Sequence, residues 1–246
     1  MVGFFELFIA LAAFVAGAGA SVAGFGIGSI LTPLLSLELG TRLAVAAVSI
    51  PHMIATFTRF RILRRHVDRP VLINFGILSA AGGLVGALLH SVASNPALSV
   101  VFAVLLIFAG LSGLTGYARK MRFGPRAAWV AGAVSGALGG LVGNQGGIRS
   151  AAILGFGLRR EAFVATTTAI ALIVDAARMP VYFVTAGHEL LSAVNLIALS
   201  TIGVLAGTFS GTSFLRRIPE PVFQRTVGIV ILALGCFMLL QALQGR

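Results

Sequence analysis

Gly136-Ala137-Leu138-Gly139-Gly140-Leu141-Val142-Gly143-Asn144-Gln145-Gly146-Gly147-Ile148-Arg149-Ser150 sits in the middle of an apolar segment that runs from 127 to 158. That segment is about 32 residues long, and one helical crossing of a bilayer needs only about 17–25. Glycine lets a backbone turn tightly and approach other groups with no Cβ in the way. The excess length and the glycine run together predict a segment broken near its middle, a hairpin of two half-helices. A second overlong segment, 3–40, carries a similar interruption at Gly24-Phe25-Gly26-Ile27-Gly28-Ser29. Outward from these two, the remaining apolar runs fall at 43–58, 70–91, 97–117, 162–186, 190–214 and 222–243.

The 246 residues are 58% hydrophobic and 10% charged, with 31 glycines and a mean hydropathy of +1.02. Globular chains carry roughly 25% charged residues, so the chain reads as an all-α polytopic membrane protein with no room for a separate soluble catalytic domain. The net charge of +11 does not signal nucleic acid, because the cations stand in short runs between apolar segments. Cys236 stands alone, and His52, His66, His90 and His188 are scattered; neither a disulfide framework nor a metal site is indicated. No cofactor is expected. The N-terminal apolar run lacks a basic lead-in and is expected to stay in the mature protein.

Loops rich in Arg and Lys remain on the cytoplasmic side. Placing Arg59 to Arg69, Arg119 to Arg126, Arg159-Arg160 and Arg216-Arg217 all inside requires 127–158 to enter and leave on one face. Arg42 and both termini then lie outside. Offset by about 119 residues, Gly24 to Gly28 overlies Gly143 to Gly147, and Arg59 overlies Arg178. Each half reads as one hairpin plus three crossings: repeat 1–118, basic linker 119–126, repeat 127–246. Three is odd, so the second repeat is expected upside down, as in many secondary transporters.

Broken helices in such proteins present unpaired backbone N–H groups, suited to anions. The candidate substrate-binding residues are therefore Gly24, Gly26, Gly28 and Ser29 at the first tip, and Gly143, Asn144, Gln145, Gly146, Gly147 and Arg149 at the second. Gly82-Gly83-Gly86 and Gly203-Gly207 read instead as surfaces for close helix packing. Ionisable residues within spans are functional candidates by default. Asp175 and Arg178, three apart in 162–186, share a helix face; Arg178 can bind the anion with its planar fork. Asp175 can neutralise Arg178 or carry a coupling proton, with an intrahelical ion pair as the plainer alternative. His52 is a second candidate proton carrier, against the commoner His bonded within a bundle. Thr32, Ser49, Thr56 and Thr166 to Thr168 can line a polar path. Arg59 opens a basic loop and is assigned an orienting role. Pro33 and Pro180 are expected to bend or end helices, and Trp129, Tyr117 and Tyr182 to stand at the membrane interface.

The first glycine tip followed by Ser29-Ile30-Leu31-Thr32-Pro33 and continuing to Gly40, together with Gly136 to Gly147, resembles the duplicated glycine and proline pattern of the sulfite exporter TauE/SafE family of anion permeases. The resemblance extends over nearly the whole chain in order and spacing. It implies a secondary transporter in the cytoplasmic membrane that moves sulfite, sulfonates or related small organosulfur anions. Its partners would be the lipid bilayer, the anion and, where coupled, protons. An intramembrane enzyme would need paired Asp or metal-spaced His residues. A passive scaffold would have no use for charges at half-membrane depth.

Overall fold

The computed structural model describes residues 3–23, 26–116, 125–143, 149, 152–153, 156–215 and 220–244. Among these the chain is helical, without strands. The helices are α1 (Phe4–Ala23), α2 (Ile27–Leu63), α3 (Arg69–Val92), α4 (Asn95–Thr115), α5 (Pro125–Val142), α6 (Arg160–Ser192), α7 (Val194–Leu215) and α8 (Glu220–Leu243), with a 3-10 turn over Arg64–His66. Among the described residues, five helices are long and apolar enough to cross a membrane. Large apolar side chains such as Phe4, Ile73, Ile77, Val184 and Ile202 are exposed on the outer surface, as lipid contact requires.

Local sequence sets the ends of these helices. The Asp68 side chain accepts from the Val71 backbone N–H at 3.0 Å, and Pro70 follows in the first turn of α3, where its missing N–H is not needed. Pro96 plays the same part in α4, which closes on Gly116 in the left-handed conformation. Within α2 the helix breaks at Gly40, with φ 71° and ψ 157°, a conformation that glycine tolerates far better than other residues. The Arg42 N–H freed by the break donates to Asn95 Oδ1 at 2.8 Å. Pro33, Pro51 and Pro180 lie inside helices, so the break expected near Pro33 falls seven residues later, at the glycine.

The first hairpin differs from two equal half-helices. At 1.5 Å per residue the 20 residues of α1 reach about 30 Å, a full bilayer core, and only the returning limb before Gly40 is short. The 18 residues of α5 reach about 27 Å. Between Gly143 and Phe156, residues Arg149, Ala152 and Ile153 are described. Ala152 and Ile153 join a buried cluster with Val71 and Phe75 of α3 and Ile170 and Val174 of α6.

The packing is organised by pairs of helices, one from each half. α1 lies along α7 as α5 lies along α3; α2 meets α7 as α6 meets α3; and α4 meets α8. Small residues make these contacts. A Cβ added to Gly136 would stand 1.9 Å from the Ser79 carbonyl oxygen, one on Gly82 2.1 Å from that of Ala133, and one on Gly207 2.0 Å from that of Phe14. Backbones touch here because the side chain is absent, the contact that membrane helices favour. Ser79 Oγ donates across the α3–α5 crossing to the Gly132 carbonyl at 2.9 Å, and Ser21 Oγ across α1–α7 to that of Thr208 at 3.2 Å.

Candidate functional site

The two glycine breaks meet. A Cβ on Gly28 would stand 2.5 Å from the Gly143 carbonyl oxygen. Gly143 has φ +72°, and a Cβ there would lie 3.8 Å from both Arg178 Nη1 and Thr32 Oγ1. Gly26, at the first break, has φ +130°. Of the candidate residues, Gly24, Asn144, Gln145, Gly146 and Gly147 lie outside the described residues. Gly26, Gly28, Ser29, Gly143, Arg149, Arg178, Asp175 and His52 lie within them. Ser29 is buried.

Beside the junction, α2 and α6 each contribute one polar face. On α2, His52, Thr56 and Arg59 recur at intervals of four and three; on α6, Thr168, Asp175, Arg178 and Tyr182 follow at seven, three and four. Such intervals place residues on a common stripe of a helix. Asp175, fully buried, is held from both helices: His52 Nδ1 lies 2.7 Å from Oδ2, while Arg178 Nε and Nη2 approach Oδ1 at 3.0 and 2.8 Å.

The remaining arm of Arg178 is also engaged. Nη1 donates to the Gly139 carbonyl at 2.6 Å, the Tyr182 hydroxyl donates to the Gly140 carbonyl, and His90 Nδ1 lies 2.8 Å from the Leu141 carbonyl oxygen. Gly139 also accepts from the Gly143 N–H at 3.0 Å, but the last carbonyls of a helix lack intrahelical partners, and in a bilayer each must find one within the protein. Three side chains from α6 and α3 thus bond the end of α5, and Arg178 commits three of its five N–H groups to Asp175 and to this cap. Tyr182, expected at the membrane interface, is 1% exposed because it belongs to the cap. Trp129 is 46% exposed. Tyr117 lies outside the described residues.

Arg59 corrects a second expectation. Although it begins the basic run, it is only 5% exposed; Nη2 donates to Thr56 Oγ1 at 3.3 Å, while Nε and Nη1 have no partner. Arg149 is 2% exposed, and its Nε and Nη1 are likewise unpartnered among the described residues. Both guanidiniums lie within electrostatic range of Asp175, and Arg149 within range of Arg59 and Arg178. The buried hydroxyls of Thr32 and Thr168 also lack partners. An uncompensated buried charge costs about 3–5 kcal/mol, and these groups make a buried region with excess positive charge and open donors. The repeat offset that pairs Arg59 with Arg178 was the signal available in the sequence.

Helices long and apolar enough to cross a bilayer around buried charged side chains are the mark of a polytopic membrane protein. The match that specifies it is to the sulfite exporter TauE/SafE family, over residues 9–238. The chain belongs to that family of membrane transporters. Searches of curated proteins and of solved structures gave no significant match.

Proposed function

We propose that the protein is a secondary permease that carries sulfite, a sulfonate or a related small organosulfur anion across the cytoplasmic membrane by alternating access, around the junction of its two glycine breaks. The observation that carries this reading is the meeting of Gly28 with Gly143 beside one buried carboxylate and three buried guanidiniums. Backbone at the breaks and cationic side chains offer an oxyanion several donors at once, and the pairing of each helix in one half with a helix of the other supports two inverted repeats that can rock about that point. His52 against Asp175 supports proton coupling, since a proton gained or lost there changes the charge of the site by one. Liposomes containing purified protein should accumulate labelled sulfite or a sulfonate down its gradient. Flux no faster than in protein-free vesicles would reject transport of these anions.

The inverted arrangement has its own test. In a Cys236→Ala background, a cysteine at Arg42 should react with an impermeant maleimide from outside the cell, and one at the exposed Arg159 only after the inner face is opened. Labelling of both from one side would rule out this topology, in which both termini are outside.

A further inference from the structure

We propose that Arg59 and Arg149 form the anion clamp itself, selective for a doubly charged oxyanion, and that Arg178 is a positioning residue that does not touch the substrate. The inference deepens the transport reading and rests on it for the chemical class of the ligand.

The three arginines are equally buried and differently used. Arg178 has Asp175 on Nε and Nη2 and the Gly139 carbonyl on Nη1, so three of its five N–H groups are committed and its Nε edge is open to an anion only if Asp175 is displaced. Arg59 and Arg149 each hold Nε and Nη1 free, at 5% and 2% exposure. Nε and Nη1 point from different edges of the planar guanidinium, so each of these arginines keeps an open donor on two sides, each able to take one oxyanion oxygen. Two such forks in electrostatic range of each other repel until a negative group lies between them. Among the described residues, buried cationic side chains outnumber the single buried carboxylate by three to one. Two positive charges are therefore unmatched, and a dianion balances them where a monoanion leaves one over. Thr32 and Thr168, buried and unpartnered, add neutral donors.

The test compares inorganic sulfite and sulfate with methanesulfonate, which presents similar oxygens with one charge fewer, by thermal shift and calorimetry on the purified full-length protein at pH 8. Sulfite should bind at least tenfold more tightly than methanesulfonate. Arg59→Gln and Arg149→Gln should each weaken sulfite binding at least tenfold and erase that preference. Their ligand-free melting temperatures should equal or exceed that of the wild type, because each change removes a charge that had no partner. Wild-type affinity for sulfite in either variant, equal wild-type affinity for sulfite and methanesulfonate, or a ligand-free melting temperature as low as that of Arg178→Gln would overturn the clamp. Binding that follows this pattern without flux in liposomes would reject the transport reading alone; flux that survives in both variants would reject the clamp alone.

Discussion

An Arg178→Gln variant is expected to lose transport and to melt about 10 °C below the wild type. The two effects have one origin. Removing the guanidinium strands the Asp175 carboxylate, which is fully buried, and leaves the Gly139 carbonyl with the Gly143 N–H as its remaining donor. Breaking a buried pair from one side costs about 3–5 kcal/mol, and for a chain of this size each kcal/mol moves the midpoint by about 2–4 °C. The double variant Asp175→Leu/Arg178→Met removes both charges and should regain most of the lost stability, as apolar replacement of a whole buried pair commonly does. It should still carry no anion, because the end of α5 that presents Gly143 is no longer fixed by the guanidinium. Recovery of flux together with stability would show that Arg178 has no part in the site beyond neutralising Asp175. Differential scanning fluorimetry and liposome flux on the same preparations separate these outcomes.

The second large effect concerns the glycines, which are not equivalent. Gly136→Leu should prevent folding, with monodisperse protein reduced at least tenfold by size-exclusion chromatography, because its Cβ would meet the Ser79 carbonyl 1.9 Å away and backbone at a helix crossing cannot move aside. Gly28→Ala should lower flux at least tenfold per folded molecule, since its Cβ would stand 2.5 Å from the Gly143 carbonyl oxygen, backbone that must shift where the two breaks meet. Gly83→Ala is the comparison: the nearest atom to its Cβ is Val174 Cγ1 at 2.8 Å, a buried side chain rather than backbone. Equal loss of flux with Gly28→Ala and Gly83→Ala would mean that the junction is ordinary packing.

Much of this was legible in the residues because it depends on short-range pattern. Overlong apolar segments with glycine in the middle announced the breaks, and the interval of three between Asp175 and Arg178 announced their pairing. The packing role of Gly82 and Gly207 followed from spacing and composition. What could not be read depended on contacts between distant segments. His52 and Asp175 are 123 residues apart, and nothing local in either sequence names the other. Tyr182 and His90 looked like an interfacial aromatic and a solitary histidine until the α5 carbonyls were placed against them. Arg59 was misread for a different reason. The orienting rule accounted fully for a basic run at 59–69 and so left no residue in it unexplained, although the first member of the run is folded inward.

The exchange of helices between halves also sets the order of events during synthesis. α1 finds its close partner in α7, yet roughly 170 residues separate the end of one at Ala23 from the start of the other at Val194. At about 5–20 residues per second, α1 waits on the order of 10 s in the bilayer with its glycine face open to lipid. That face is Gly, Ala and Phe with few polar groups, which lipid tolerates, so the same residues that permit the final backbone contact also keep the nascent helix acceptable to the membrane until its partner is made.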